Sequence, residues 1–171
     1  MRDLPIRTGR LVLRPMTAAD VPRFHGLVTR PEVARMLYMF HAAWPLTEAG
    51  PFLDDWAWRG ALKFRLAVEE NGLWRGWIGV DDAGEPEIFY ALEPDAAGRG
   101  LAREAVAAFA GFLFDRFDMP ALTAGVFHDN PASMKVLRAC GFHETGVAPH
   151  VSRGRPGPAP CHMFRLPRPA G

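Results

Sequence analysis

The chain has 171 residues, a net charge of +1, and 49% hydrophobic and 23% charged residues. That length suits one domain with a sizeable core, so residues 1–171 are expected to form a single unit. The near-zero charge argues against bulk electrostatic binding to nucleic acid or to a membrane surface. No apolar run is long enough to span a bilayer, and the opening Met-Arg-Asp-Leu-Pro has no secretory-type apolar stretch; a cytoplasmic location is expected. Cys140 and Cys161 are too few for a disulfide framework, and neither they nor the scattered histidines have metal-ligand spacing.

The first strand-like run is Leu11 to Arg14. Thr17 followed by Asp20 resembles a capping box, and Val21, Phe24, Leu27 and Val28 follow at helical spacing, which predicts a helix over 18–28. Pro31 suits a first helical turn, with Val33, Met36 and Leu37 continuing a short second helix. Thr47 is the expected cap of a third, with Phe52, Leu53 and Trp56 on its inner face. The period then changes. Phe64 to Val68 and Trp74 to Val80 read as strands joined by the hairpin turn Asn71-Gly72. After the polar turn Asp81 to Glu85, Glu87 to Leu92 is another strand, ended by Pro94. A long helix follows over 101–117, a strand over 122–127 and a short helix over 131–140 with Gly141 as its C-cap. Phe142 to Val147 and His162 to Leu166 are the last strands, separated by a loop over 152–160. This order is a mixed α/β (α+β) domain on a central, mostly antiparallel sheet.

Two segments carry chemistry. In Gly98-Arg99-Gly100-Leu101-Ala102, two glycines precede a long helix. They let the main chain approach a ligand, and the first helical amides have no internal partner and point along a positive dipole end. That suits a phosphate or diphosphate, with Arg99 available for a charge-assisted contact. The segment lacks the third glycine of a dinucleotide fingerprint and the Gly-Lys-Ser/Thr ending of a nucleoside-triphosphate loop. Further on, Asn130 can cap the helix opened by Pro131, and Ser133 lies in its first turn, where a hydroxyl can face a ligand.

Together Gly98-x-Gly100-Leu101-Ala102-x-Glu104-Ala105 and Asn130-x-x-Ser133-x-x-Val136-Leu137-x-x-x-Gly141-Phe142 resemble the two acyl-CoA motifs of the GNAT acetyltransferase superfamily. The opening Thr8-Gly9-Arg10-Leu11-Val12-Leu13-Arg14-Pro15 and the strand Glu87-Ile88-Phe89-Tyr90-Ala91-Leu92 resemble the branch that includes the ribosomal-protein alanine N-acetyltransferases. The resemblance implies a sheet with splayed middle strands and acetyl-CoA or coenzyme A as cofactor. It implies that main-chain groups of Tyr90, Ala91 and Leu92 pair with the pantetheine arm. Amides from Gly98, Arg99, Gly100, Leu101 and Ala102 would hold the diphosphate. Asn130 would contact the arm, and Ser133 would lie near the thiol. One position departs from the pattern: Asp95 stands where the family usually has Gln or Arg. Its carboxylate either caps the turn facing away from the ligand or weakens binding.

The implied activity is transfer of an acetyl group to a primary amine, of a peptide or protein N-terminus or of a small molecule, by direct attack in a ternary complex. Glu87, at the start of the strand that abuts the acyl group in the resembling family, is the expected base, directly or through water. Some relatives use a late tyrosine for the leaving thiolate; the only tyrosines here are Tyr38 and Tyr90 and none follows Gly141, so the resemblance to the ribosomal-protein branch makes Ser133 the expected partner. The aromatic residues of the early helices are expected in the core more than in a pocket. Arg153 and Arg155 are expected in a solvated loop, or against an acidic substrate. A non-catalytic acyl-CoA-binding or regulatory module on the same fold is the alternative, a nucleotide-binding protein is a third, and a homodimer stays open.

Overall fold

The computed structural model describes residues 3–171. Two antiparallel sheets make the frame. The larger runs in the order β1 (Ile6–Arg7), β2 (Leu11–Pro15), β3 (Phe64–Glu70), β4 (Leu73–Val80), β5 (Ile88–Leu92). The smaller runs β6 (Ala121–Phe127), β8 (Ala159–Pro167), β7 (His143–His150). Both turn residues of Asn71-Gly72 have positive φ, at 51° and 77°, and join β3 to β4 as the sequence predicts.

Alternation along β3 sorts the core. Phe64, Leu66 and Val68 face α4 (Leu101–Arg116) and pack with Phe109, Phe112 and Leu113. Ala67 faces the other way, with Trp77, beneath α1 (Val21–Val28) and α3 (Leu46–Asp55). Each fully buried Phe contributes about 1.5–3 kcal/mol. The sheet is therefore covered on both faces, and the cleft described below opens where β5 and β6 part.

Several boundaries differ from the sequence reading. The first helix opens as a 3-10 turn over Ala18–Asp20, where the Asp20 carboxylate accepts the Thr17 amide at 2.7 Å and is gripped by Arg14 at 2.8 and 3.0 Å. The second helix, α2, spans only Pro31–Ala34. Beyond it the chain tightens, with the Met36 amide on the Val33 carbonyl at 2.9 Å and the Leu37 amide on the Ala34 carbonyl at 3.0 Å, and the carbonyls of Ala34, Arg35 and Leu37 accept from Ser152 and Arg155 of the late loop. Helix α3 begins at Leu46 with Pro45 as N-cap, so Thr47 lies inside it and caps nothing. The last strands run longer than read: β7 continues to His150, and β8 begins at Ala159, inside the expected loop. Helix α5 (Pro131–Ala139) ends as expected: Gly141 has φ 89°, its amide bonds the Arg138 carbonyl at 3.1 Å, and the Phe142 amide bonds Leu137 at 3.0 Å. Among the described residues no helix is long and apolar enough to cross a membrane.

Candidate active site

Strands β5 and β6 run parallel and touch at one end only. The Thr123 amide bonds the Pro86 carbonyl at 2.8 Å, and Glu87 and Thr123 form an isolated bridge. The next rung of a parallel ladder would take the Gly125 amide to the Ile88 carbonyl. Instead that amide bonds Glu87 Oε1 at 3.0 Å. The carboxylate has entered the ladder, and past it the β6-facing edge of β5 is unpaired. A cleft of about 850 Å³ runs through the resulting gap.

Glu87 sits at the apex. Its amide bonds Asp81 Oδ1 at 2.8 Å, and Oε1 also accepts from the Tyr38 hydroxyl at 3.1 Å, leaving Oε2 without a partner among the described residues. Burial raises its pKa above the ordinary carboxylate value, against the lowering effect of the bonds from Tyr38 and Gly125. Burial likewise raises the Tyr38 hydroxyl, so it stays a donor at neutral pH. Gly125 makes this cluster possible. A Cβ there would meet the Tyr38 oxygen at 2.1 Å, and Glu87 Oε1 and the Cys161 sulfur each at 3.1 Å.

Tyr38 is placed by the late loop. The Ser152 hydroxyl donates to the Leu37 carbonyl, and the Arg153 amide to the Tyr38 carbonyl at 3.0 Å. Arg155 neither meets solvent nor awaits a substrate, contrary to both sequence expectations. It is clamped on Asp129 at 2.5 and 2.9 Å, lies 4.4 Å over the Phe127 ring, and donates to the Arg35 carbonyl at 2.7 Å.

At the other end, Gly98 and Gly100 have φ of 75° and 78°, and Gly100 is the N-cap of α4 with no side-chain cap. Among the described residues no acceptor takes the amides of residues 98–103, and five of those six residues line the cleft. The sixth, Arg99, turns away and forks onto Glu70 at 2.5 and 2.9 Å. Its guanidinium, available in the sequence for a charge-assisted contact, is here engaged by Glu70. Asp95 also points out, 73% exposed and 3.5 Å from Arg75, so its carboxylate leaves the amides clear. Arg10 braces the turn by donating to the Arg99 carbonyl at 2.6 Å and to Glu104 at 2.7 Å. Arg10 itself belonged to the N-terminal motif; this role depends on a contact across 89 positions.

Between the two ends, Asn130 caps α5 by accepting the Ser133 amide at 3.3 Å. The Ser133 hydroxyl lies 2.6 Å from the Tyr90 hydroxyl. Burial pushes Tyr90 up to about 12. Glu87, Tyr90, Ala91, Leu92, Asn130 and Ser133 all line the cleft. So do Met36, Tyr38, Phe40 and Trp56 of the aromatic region, whereas Trp44, Phe52 and Trp58 belong to the core or its margin.

Residues 10–143 match the acetyltransferase (GNAT) domain family. The chain belongs to the GNAT family. It is an acyltransferase of that family, with a mostly antiparallel sheet flanked by helices. The uncharacterized N-acetyltransferase p20 of Bacillus licheniformis is 25% identical over 170 residues, covering 93% of each chain. Among solved structures, spermidine N-acetyltransferase from Vibrio cholerae, in complex with CoA and spermine, superposes with a TM-score of 0.79 at 16% identity, covering 94% of this chain and 97% of that one. RimL, a ribosomal L7/L12 α-N-protein acetyltransferase in complex with coenzyme A, gives 0.77 at 17% identity, covering 95% and 97%. At those identities the likeness is one of fold. One GNAT frame thus serves a polyamine enzyme and a protein N-terminus enzyme.

Two substitutions test the two ends. Gly100→Val places a β-branched residue at positive φ and moves the amides of the turn; calorimetry should show acetyl-CoA binding weakened by at least about tenfold with the circular dichroism unchanged. Gly125→Ala drives a methyl into the Tyr38 hydroxyl; kcat should fall by about tenfold or more while acetyl-CoA affinity stays within about twofold.

Proposed function

We propose that this GNAT enzyme transfers an acetyl group from acetyl-CoA to a primary amine, of a peptide or protein N-terminus or of a small molecule, by direct attack in a ternary complex. One observation carries the reading: Gly98 and residues 100–103, whose amides have no acceptor among the described residues, line the same cleft as the candidate base Glu87. The residues fit the cofactor. The amides at the head of α4 suit its diphosphate, and the free edge of β5, at Tyr90 to Leu92, suits the amide-bearing pantetheine arm as an added strand. Asn130 uses its side-chain oxygen on the α5 cap, which leaves its NH₂ group for the arm.

Bound there, acetyl-CoA supplies an activated thioester carbonyl. The protein's part is to deprotonate the amine and steady the sulfur. The N–C bond forms as the C–S bond breaks; the amine proton goes to Glu87 Oε2, directly or through one water. The developing thiolate accepts a hydrogen bond from the Ser133 hydroxyl. A thiol titrates near 8.5 and Tyr90 at about 12, so proton transfer from the hydroxyls is uphill and their contribution is hydrogen bonding. Tyr90 orients that hydroxyl through the 2.6 Å contact. Roughly a tenth of an α-amine is neutral at pH 7, against about one lysine amine in a few thousand, so an α-amine asks least of Glu87. The RimL-like branch is one acceptor class on this fold, and the V. cholerae polyamine enzyme marks another.

Glu87 must be ionised to accept a proton, and its pKa is raised. The rate should therefore fall as pH drops, with an inflection above the usual carboxylate value. Glu87→Gln should remove that acid limb and lower kcat by about a hundredfold or more. A full-rate variant with an unchanged profile would exclude Glu87 as the base. Ser133→Ala should lower kcat about ten- to a hundredfold with acetyl-CoA affinity nearly unchanged, measured by free-thiol release and calorimetry.

A further inference from the structure

Arg65 lies on β3 and is 3% exposed. Its neighbours Phe64 and Leu66 enter the α4 core, so Arg65 faces the opposite side of the sheet. There the register aligns Arg65 with Gly79 on β4 and Gly79 with Phe89 on β5. A Cβ at residue 79 would lie 2.7 Å from Arg65 Cγ and 2.8 Å from Phe89 Cε2. Glycine there lets the arginine lie flat across β4 and reach Phe89. Its guanidinium carbon then sits 4.4 Å from the ring centres of Trp56, Trp77 and Phe89.

This cation is incomplete. Among the described residues no carboxylate pairs with it, and its Nε and Nη1 are buried without a hydrogen-bond partner. Nη2 finds only the Met39 sulfur at 3.8 Å. Cation–π attraction is worth about 0.5–2 kcal/mol, whereas desolvating a charged group costs several, so the rings alone do not balance the burial. The loss of solvent lowers its pKa to about 9, which leaves it charged at neutral pH. Native proteins rarely leave buried donors idle, and such a donor calls for a bound water or ion, a strained fold or a role in catalysis to explain it. Arg65 lines the same cleft as Glu87, and its cover, Met39, is a flexible thioether on the cleft wall.

Resting on the acetyltransferase reading above, we propose that Arg65 determines acceptor specificity by receiving a carboxylate of the incoming amine, so that the acceptor is a free amino acid or a closely similar amino-carboxylate. A planar carboxylate matches the guanidinium fork that the rings hold in place. Glu87, the residue before β5, and Phe89 are two positions apart, about 7 Å along the extended chain. Glu87 would then meet the amine and Arg65 the carboxylate of one small zwitterion. A polyamine would instead bring positive charge against a buried cation.

The test compares each standard L-amino acid with its α-amide, using the full chain. Tryptophan fluorescence reports binding through Trp56 and Trp77, free-thiol release with acetyl-CoA reports turnover, and calorimetry reports acetyl-CoA binding separately. At least one amino acid should bind saturably, with its amide about tenfold weaker or worse. Arg65→Met should abolish that preference while keeping acetyl-CoA affinity. It should melt no lower than wild type, because it removes an unpaired buried charge. Arg65→Lys, which keeps the charge without the fork, should retain only part of the preference. Equal binding of acids and amides by the wild type, or a preference that survives in Arg65→Met, would overturn the assignment. So would acetyl-CoA binding with no amino acid bound, an outcome that leaves the acetyl-transfer reading standing. Amino-acid binding with Arg65 dependence but no acetyl-CoA binding would do the reverse.

Discussion

The hydrogen bond from the Gly125 amide to Glu87 Oε1 is the contact on which the site depends. It replaces a main-chain rung, and in doing so it ends the pairing of β5 with β6 after a single bridge. Three consequences follow from this exchange. The edge of β5 stays free for another chain-like partner. The gap joins the α4 face of the sheet to the α1–α3 face. The carboxylate that holds the strands apart is itself fixed where the two faces meet. Only glycine at position 125 admits the arrangement, because Tyr38, Glu87 and Cys161 already occupy the space a side chain would need.

The two ends of the cleft handle charge differently. Around the turn at residues 98–103 the arginines are neutralised by neighbours: Arg99 on Glu70, Arg10 on Glu104, Arg75 between Glu70 and Asp95. Arg99 lowers the pKa of Glu70, and Thr8 with Arg10 lowers that of Glu104, so both acids remain ionised at neutral pH. These pairs range from the half-exposed Arg10 with Glu104 to Arg99 and Arg75 on the buried Glu70. Their effect here is positional, since they hold the backbone so that donors come from the main chain and the helix end. Around Arg65 the case is the opposite: a full side-chain charge, desolvated, walled by rings and, among the described residues, unpaired. Diffuse main-chain dipoles at one end and a single fixed cation at the other would orient an anionic carrier and a zwitterionic acceptor without mutual repulsion.

What was readable in the sequence was local. Asn71-Gly72, the Gly98 and Gly100 turn, and the Asn130 and Gly141 ends of α5 each depend on residues within a few positions, and the structure builds them as read. The failures are of longer range. Helix α2 tightens after Ala34 into turns bonded from Met36 to Val33 and from Leu37 to Ala34, and the carbonyls there also accept from a loop more than a hundred residues later. Thr47 loses its capping role to Pro45, whose restricted φ of −69° already sets the extended entry to α3. Tyr38 looked like one aromatic among many, and nothing near it in sequence announces Glu87, 49 positions away. Arg65 reads as an ordinary strand residue, because the rings that enclose it come from α3, β4 and β5. Arg155 reads as a loop charge until Asp129 is seen beneath it.

The account is tested most directly by a crystal structure of the protein grown with coenzyme A. It predicts the diphosphate within hydrogen-bond distance of the amides of residues 98–103, the arm along the free edge of β5, and the sulfur beside Ser133. Well-ordered cofactor lying elsewhere, with those amides facing only water, would contradict it.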